Sequence, residues 1–448
     1  MKLIKRLSAG ALALAATASL ASAAPVTIYI VASNGDRSPT QNAIGHLLAA
    51  GGNTWKYQGV GSVATGSSTS GSVGTPSNSN YGAWNGTFQG TPVTIKVTYA
   101  GALTGISAIA GNTVQRFVAV DGTGTTQPVD PTTATNQADY VTGVADIGFS
   151  TNFQSTSPFQ GNYNGTFYNQ IVEEKVGVSA LVLVASPGFP ATNITTQLAQ
   201  QLFKVGSVPL AQFTGNPADK NKIVYALGRN ADAGQRYGTY TEIGLGVNTV
   251  VNVYKPTIAN QLTDQTTGFK YGGTASSHVL FPVATTPGGI DSGVPGNGGF
   301  TTANDLAPNL TVTALEPNAY KNNDPEFGFL YPNATAGYYI GYVTPNDFTT
   351  RIQPFGGVLL KYNGVDYSTA NIQNGFYTPW IYNRILRRTG EGLTPFSGTT
   401  EEKTVKAAFY EALRNQILNV DATNGGGIKL DTLEVGRSTD GGLVYPLY

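Results

Sequence analysis

The 448-residue chain contains no cysteine. Disulfide bonds, thiolate metal ligands and a cysteine nucleophile are therefore excluded, and the fold must be stabilised by burial of apolar groups. Lipid attachment at a cleavage-site cysteine is excluded for the same reason. The only two histidines, His46 and His278, are too few for a histidine-rich metal site. We expect no metal site and no cofactor.

Charge is also scarce, since only 12% of the residues are ionised and 26 basic groups balance 26 acidic ones. Nucleic acids and anionic membrane surfaces are poor partners for such a chain, because both require a basic surface. Glycine is abundant, with 56 residues, and many other positions are Ser, Thr or Asn. This polar but weakly charged composition is common among exported proteins.

Motifs that mark catalysis are missing as well. The chain has no G-x-S-x-G nucleophile elbow, no G-x-x-x-x-G-K phosphate loop and no H-E-x-x-H zinc motif. A glycosidase with two carboxylates far apart in sequence stays open, although the spacing singles out no pair. We expect no catalytic residue.

The first residues have the three parts of a secretory signal peptide. Lys2, Lys5 and Arg6 precede an apolar run over residues 7–20, and small residues follow up to Ala23. The run is shorter than the roughly 20 apolar residues that span a bilayer. We predict cleavage near Ala23, delivery to the periplasm or the medium, and no membrane anchor.

The chain without residues 1–23 is longer than about 300 residues, the size at which one hydrophobic core stops growing. Two compact units are therefore expected. Apolar runs that predict strands alternate with periodic patterns that predict helices, which favours parallel sheets covered by helices. The predicted strands are 26–31, 92–99, 145–150, 176–185 and 223–227, and the predicted helices are 39–51, one beginning near Ile106, 195–205, 380–388 and 405–418.

Capping residues support three of these helices. Ser38 and Pro39 suit the start of the first, Thr195 caps the third, and Thr399 with Glu402 forms a capping box before the last. Residues 58–91 are rich in Gly, Ser, Thr and Asn without a sustained period. They predict a long surface loop or a weak hairpin inserted in the first unit.

Four segments follow predicted strands and are candidates for ligand binding, because ligands of open α/β sheets bind at the carboxyl ends of strands. They are residues 33–37, 101–105, 150–152 and 229–236. Helix starts with free N–H groups attract anions, and Arg37 and Arg229 lie beside two of them. The alternative is that both arginines form ordinary surface or interlobe salt bridges and that the glycines serve only turns.

In this order, these segments resemble the type II periplasmic binding proteins and, among them, the phosphate-binding subunits of ABC transporters. The resemblance covers most of the chain after residue 24. Its carriers are residues 28–37 (IYIVASNGDR), 99–106 (YAGALTGI), 145–150 (ADIGFS), 210–215 (LAQFTG) with 228–236 (GRNADAGQR), 339–343 (YIGYV), and 372–377 (IQNGFY) with Trp380.

The resemblance implies an α/β fold of two lobes, each a mostly parallel sheet flanked by helices, joined by two hinge crossovers around a cleft. Lobe I would comprise residues 25–176 and 355–448, and lobe II residues 177–354. The implied ligand-binding residues lie at the strand ends of both lobes. They are Ser33, Asn34, Gly35, Arg37, Gly101, Ala102, Thr104, Ser150, Thr151, Arg229, Gly234 and Gln235.

Three motifs depart from the family pattern. Ala102 replaces a serine, Thr151 replaces an aspartate, and residues 233–235 read Ala-Gly-Gln instead of Ser-Gly-Thr. Each hydrogen bond missing from a buried doubly charged ion costs about 1–3 kcal/mol, which puts orthophosphate in doubt. A proton on the phosphate would also need a carboxylate acceptor, and these loops offer only Asp36 or Asp232.

The leading hypothesis is an exported, monomeric solute-binding protein that captures a small ligand, phosphate or a related oxyanion, for uptake by an ABC transporter permease. The second is that the fold is kept while transport is lost, which gives a surface or interaction protein. An intact cleft with inward-facing Arg37 and Arg229 would favour the first hypothesis. A hydrolase is the third.

Overall fold

A computed structural model provides the three-dimensional structure. It describes residues 24–70, 73, 79–282, 294–312, 314–315, 334 and 336–448. The predicted signal peptide, residues 1–23, lies outside these ranges. Within them, no helix is both long enough and apolar enough to cross a membrane.

The elements fall into three stretches of the chain. The first contains β1 (Val26–Ser33), α1 (Arg37–Ala49), β2 (Trp55–Gly59), β3 (Ser62–Gly66), β4 (Tyr81–Phe88), β5 (Thr91–Ala100), α2 (Ala102–Ala110), β6 (Val114–Val118), β7 (Tyr140–Val144), β8 (Ile147–Ser150), β9 (Gly161–Tyr163), β10 (Thr166–Tyr168) and β11 (Ile171–Ala180). The second contains β12 (Val182–Ala185), β13 (Asn193–Ile194), α3 (Thr196–Val205), β14 (Ser207–Pro209), α4 (Ala211–Thr214), β15 (Lys222–Ala226), α5 (Gly234–Glu242), β16 (Tyr254–Ala259), β17 (Leu262–Thr263), β18 (Lys270–Tyr271), β19 (Thr274–Leu280), α6 (Ala303–Leu306), β20 (Ala314–Leu315), β21 (Ala336–Val343), α7 (Pro345–Asp347), β22 (Val358–Leu359) and β23 (Lys361–Tyr362). The third contains α8 (Thr369–Gln373), β24 (Trp380–Arg388), α9 (Thr400–Asn419), β25 (Val435–Gly436) and β26 (Tyr445–Pro446).

The first large sheet has the strand order β11-β24-β8-β1-β5-β4-β2-β3. Its two faces are covered by different helices, because alternate side chains of a strand point to opposite faces. On one face Ile30 packs in a core that contains Leu48 of α1 and Phe409 of α9. On the other face Val31 packs with Ile106 of α2.

The second large sheet has the order β14-β15-β21-β12-β22. Leu202 of α3 and Tyr240 of α5 share its buried core with Val224 and Ile340 of the central strands. The chain passes from the first sheet to the second between β11 and β12, and returns between β23 and β24. Two α/β units joined by two crossovers confirm the predicted fold class.

The sheets are more mixed than predicted. Parallel pairing is confined to β5-β1-β8 in the first sheet and to β15-β21 in the second, and the strands outside these groups pair antiparallel. The predicted lobe limit at residue 177 lies within β11, and the limit at residue 355 lies before β22, a strand of the second sheet. As boundaries of lobes they stay a prediction.

Two predicted elements are wrong. Residues 380–388 form β24, a strand between β8 and β11, instead of a helix. Most of β24 is buried, so burial does not alternate along it, and its apolar residues at 380–382 and 385–386 fit a helical period as well as a buried strand. Residues 58–91 are not mainly a surface loop, because β2, β3 and β4 extend the first sheet beyond β5. The weak-hairpin alternative fits only the β2-β3 pair.

The predicted helices that begin with capping residues are confirmed, and the structure contains the predicted capping hydrogen bonds of two of them. The Thr399 hydroxyl accepts a hydrogen bond from the Glu402 N–H, and the Glu402 carboxylate accepts one from the Thr399 N–H, which completes the capping box of α9. Thr195 caps α3 by accepting from the Leu198 N–H at 3.2 Å. The first helix differs at its start, because α1 begins at Arg37 and Ser38 lies inside it.

We predict that Trp84→Ala lowers the free energy of unfolding by about 3–5 kcal/mol, measured by urea denaturation. Trp84 lies within residues 58–91 and is fully buried, with its ring 4.7 Å from that of Trp55 and 4.9 Å from that of Tyr57. Val114→Ala is the control, because Val114 is 64% exposed. If both variants stay within about 0.5 kcal/mol of the wild type, residues 58–91 contain no part of the core.

Candidate functional site

The loops predicted to bind a ligand meet where the two α/β units face each other. Two glycines make this approach possible, because neither has a side chain at the contact. A methyl group on Gly234 would lie 1.9 Å from the Thr151 hydroxyl oxygen, and one on Gly101 would lie 2.0 Å from the carboxyl carbon of Asp232. The start of α2 and the loop after β8 therefore contact the loop before α5 directly.

The carboxylate of Asp232 lies at the start of α2. One oxygen accepts a hydrogen bond from the Thr104 N–H at 2.9 Å, and the other accepts one from the Thr104 hydroxyl at 2.7 Å. The first N–H groups of a helix have no partner within the helix and favour negative charge. Asp232, from the second unit, thus occupies the place at α2 where an external oxyanion was expected.

Burial dominates the electrostatics of this contact. Asp232 is only 6% exposed, and burial raises the pKa of its carboxyl to about 6. Hydrogen bonds from Thr104 and from the backbone of Gly101 and Leu103 act in the opposite direction on that pKa. The hydrogen bonds favour the charged form, but burial outweighs them, so the carboxylate is less stable here than in water.

The side chain of Arg229, which was predicted to bind the ligand, is directed into its own unit. Its guanidinium donates to the Phe300 carbonyl at 3.1 Å, the Thr301 carbonyl at 2.9 Å and the Gln235 side-chain oxygen at 2.7 Å. Burial lowers the pKa of Arg229 from its ordinary value. The arginine therefore holds the 300–301 segment against the loop before α5, and it occupies Gln235 as well.

The residues after β1 also bond mainly within their own unit. The Ser33 hydroxyl donates to Asp36 at 2.5 Å, and the Asn34 amide donates to the Ala100 carbonyl at 2.7 Å. Arg37 is half-buried, and its guanidinium donates to the Asn80 side-chain oxygen. Burial lowers the pKa of Arg37 too.

Three predicted residues form the walls of the contact and donate no hydrogen bond there. Gly35 lies beside Thr151, since a methyl group on it would be 3.2 Å from the Thr151 methyl carbon. Ala102 lies 2.9 Å from where a Gly234 side chain would begin, and the Ser150 hydroxyl accepts from the Asn152 N–H at 3.0 Å.

The twelve predicted residues therefore fall into two groups. The structure gathers one group in a single contact, with Ser150 beside it: Gly35, Gly101, Ala102, Thr104, Thr151 and Gly234. It directs the polar groups of the others elsewhere: Ser33, Asn34, Arg37, Arg229 and Gln235.

Residues 433–446, which we name the C-terminal strap, form a second link between the units that the sequence reasoning missed. Arg437 of the strap forms a buried ion pair with Glu242 of α5, with 3.0 Å between nitrogen and oxygen. The same guanidinium donates to the Thr378 carbonyl at 2.6 Å and lies 4.1 Å from the ring centre of Trp380. The strap is thereby fixed to the second unit and to the return crossover.

Asp440 fixes the strap to the first unit. Its carboxylate accepts hydrogen bonds from the Phe153 N–H at 2.9 Å, the Asn152 amide at 3.3 Å and the Thr156 hydroxyl at 2.5 Å. Buried Arg384 lies 3.7 Å from the same carboxylate and 3.3 Å from the ring centre of Phe153. A second carboxylate of the chain thus satisfies the donors that follow β8.

The chemistry available at this contact is hydrogen bonding. Within the described ranges, no group of three His, Cys, Asp or Glu residues is placed to hold a metal ion. Asp232 and Asp440 had a sequence signal, because each lies in a polar turn near a glycine, Asp232 before Gly234 and Asp440 before Gly441. Sequence reasoning considered Asp232 only as a proton acceptor for a ligand, not as the group that fills the site.

No protein-family model and no curated protein sequence matches the chain. Several solved structures are similar at low identity. An ABC-type phosphate transport receptor from Vibrio cholerae is 12% identical, with 71% of this chain and 82% of that chain covered and a TM-score of 0.36. A putative phosphate ABC transporter substrate-binding protein from Clostridium perfringens, with bound phosphate, is 11% identical, with 90% and 99% covered and a TM-score of 0.40.

A third similar structure is PstS from Borrelia burgdorferi, which is 13% identical, with 87% of this chain and 96% of that chain covered and a TM-score of 0.34. Superpositions with TM-scores this low do not establish a common fold. The two-sheet architecture therefore rests on the strand order and crossovers of this chain.

We predict that the stability difference between the wild type and Asp232→Asn depends on pH. Because burial raises the Asp232 pKa from 3.8 to about 6, the folded chain favours the neutral carboxyl. Relative to the variant, the wild type should lose stability as the pH rises through this interval, by no more than about 1.4 kcal/mol per pH unit. Urea denaturation of both proteins at several pH values measures the difference.

Other buried carboxyls, including Asp36, whose pKa burial also raises to about 6, titrate in both proteins and cancel in this difference. A difference that is constant over the interval would show that Asp232 is solvated in the folded chain.

We predict that Glu242→Gln or Arg437→Met alone lowers the free energy of unfolding by about 3–5 kcal/mol, because each leaves one buried charge unpaired. The double variant should recover most of that loss, which a double-mutant cycle measures. Asp366→Asn, in an exposed pair with Lys361, is the control and should change stability by less than about 1 kcal/mol. Additive losses in the cycle would contradict the ion pair.

Proposed function

We propose that this chain is an exported, two-lobed protein of the binding-protein type in which oxyanion capture has been lost, and that it acts as a surface or interaction protein. It performs no chemistry. Export rests on the predicted signal peptide. The loss of capture rests on the contact of the start of α2 and the loop after β8 with the loop before α5, which we name the interlobe contact. The observation that carries the proposal is the Asp232 carboxylate at the start of α2.

A phosphate or sulfate at α2 would have to displace this carboxylate. Two like charges cannot share one buried set of donors without a large cost, because each disfavours the charged form of the other. The donors of Thr104 are already used by Asp232, and Gly101 leaves no space beside its backbone. An oxyanion therefore competes with a group that is covalently attached and always present.

The other candidate donors support the same proposal. The guanidinium of Arg229 is committed to two backbone carbonyls and Gln235, and Asp440 uses the donors that follow β8. The strap also joins both units through Arg437 and Asp440, so hinge opening has to break buried polar contacts. Such links oppose the opening and closing that a transport receptor requires.

Capture of phosphate or a related oxyanion for an ABC transporter permease is the second candidate function. Arg37 favours it, because this half-buried guanidinium has Asn80 as its one hydrogen-bond partner in the part of the chain that the structure describes. For this function Asp232 would act as a displaceable internal ligand, and the units would have to separate before the anion enters.

We predict that phosphate and sulfate leave the unfolding midpoint of the wild-type protein unchanged, whereas formate or phosphate raises that of Asp232→Ala. Removing the carboxylate leaves the N–H groups of α2 unpaired, and a small anion can take its place. Thermal unfolding with increasing anion, at constant ionic strength, measures both effects. Asp366→Ala, at an exposed ion pair, is the control and should respond as the wild type does.

A ligand at a hundred times its dissociation constant adds about 2.7 kcal/mol to stability. If phosphate stabilises the wild type by that amount at millimolar concentration, oxyanion capture is retained and the second function replaces the first. If no anion stabilises Asp232→Ala, the start of α2 is not an anion site at all.

A further inference from the structure

A groove lies at the end of the second sheet that is remote from the interlobe contact. Strand β15 runs toward the loop that carries Asp232, whereas β14 pairs antiparallel with β15, and β12 pairs antiparallel with β21. The segments that follow β12 and β14 therefore emerge at the opposite end of the strands of this sheet. Residues 190–195, the first half of α3 and the one-turn helix α4 meet there around a cavity of about 560 Å³. We name it the distal groove.

The size of the distal groove is within the roughly 300–1,000 Å³ range of small-molecule sites. It shares no residue with the interlobe contact, and none of its lining residues is ionised. The distal groove therefore offers an ionic ligand no group of opposite charge. The groove therefore suits an uncharged ligand.

Three exposed glutamines supply its polar groups. Gln197 and Gln201 belong to α3 and Gln212 to α4. Throughout the ranges that the structure describes, no hydrogen bond involves any of these three side chains. A carboxamide presents both donors and an acceptor, as a hydroxyl does, so neighbouring amides can pair with neighbouring hydroxyls in either direction.

An apolar surface lies beside these amides. Phe213 is half-buried in the groove and packs edge-on against buried Phe189, with 5.3 Å between ring centres. Phe189 packs in turn against Tyr338 at 5.5 Å, and half-buried Leu198 also lines the groove. A supported aromatic ring beside free amides offers contacts for the C–H face of a sugar ring and for its hydroxyls together.

The walls of the groove are held by hydrogen bonds that a ligand does not need to form. The Lys361 N–H donates to the Thr192 carbonyl at 2.8 Å, and the Gly364 N–H donates to the Asn193 side-chain oxygen at 2.7 Å. The Thr195 cap fixes the start of α3. A preformed site loses little conformational entropy when a ligand binds.

We infer that the distal groove binds a short uncharged saccharide. An extended peptide is the other ligand that amides can recognise, and one common mode of peptide binding adds a strand to a free sheet edge. The walls here are mainly a loop and two helices, and their one strand, β13, has two residues and is already paired with β23. The inference stands on this groove alone and is independent of the function of the interlobe contact.

The test is isothermal titration of the mature protein with cello-, malto-, laminari- and xylo-oligosaccharides of two to four sugar units at millimolar concentration. We expect one series to bind. Phe213→Ala and the double variant Gln201→Ala/Gln212→Ala should each weaken that binding at least tenfold, about 1.4 kcal/mol. Gln137→Ala, an exposed glutamine of the first unit, is the matched control and should bind as the wild type does.

Thermal unfolding of each variant checks that it is folded, and the double variant changes only exposed side chains. The inference is overturned if none of the four series binds, or if the variants and the control bind equally. It is also overturned if a neutral Gln- and Ser-rich peptide binds in place of the saccharides, with loss in Phe213→Ala. Because phosphate titration uses a different probe and different variants, the outcome is separable from that at the interlobe contact.

Discussion

The interlobe contact depends on one buried carboxylate, that of Asp232, at the start of a helix in the other unit. Burial of a charge is expensive unless it is hydrogen-bonded, and the free N–H groups of a helix start also cost free energy if they are buried without partners. Each group satisfies the other. The neighbouring glycines, Gly101 and Gly234, follow from the same constraint, because any side chain there would prevent the approach.

The C-terminal strap extends this principle to the rest of the boundary between the units. Its Arg437 pairs with Glu242 in the second unit, and its Asp440 accepts from donors after β8 in the first. These ion pairs and hydrogen bonds are buried, so their contribution to stability depends on geometry more than on area. Carboxylates of the chain itself thus hold the two units together. The loops predicted to bind an anion join the two halves of the molecule.

Local signals in the sequence predicted elements whose ends are determined by nearby residues. Thr399 with Glu402, and Thr195, make their capping bonds within one helical turn, so α9 and α3 were found close to their true limits. β24 was mistaken for a helix because a strand buried on both faces has no alternation to reveal it. The strands of residues 58–91 were hidden by a composition typical of loops, although Trp84 is fully buried. The burial of Trp84 comes from the pairing of β4 with β5 and from packing with α1, which no local pattern reports.

The sequence by itself determined the strands and helices whose ends have local signals, the positions of the loops that follow those strands, and the absence of cysteine chemistry, because these follow from residue type and local spacing. It also located Gly101, Thr104, Thr151 and Gly234 in segments that do come together. Only the tertiary structure decided what those segments bind. Whether Asp232 accepts from a ligand or from Thr104 of the other unit depends on how the fold brings two loops that are 128 positions apart to within hydrogen-bonding distance. The geometry of such long-range approaches is set by the packing of whole sheets, which no short stretch of sequence encodes.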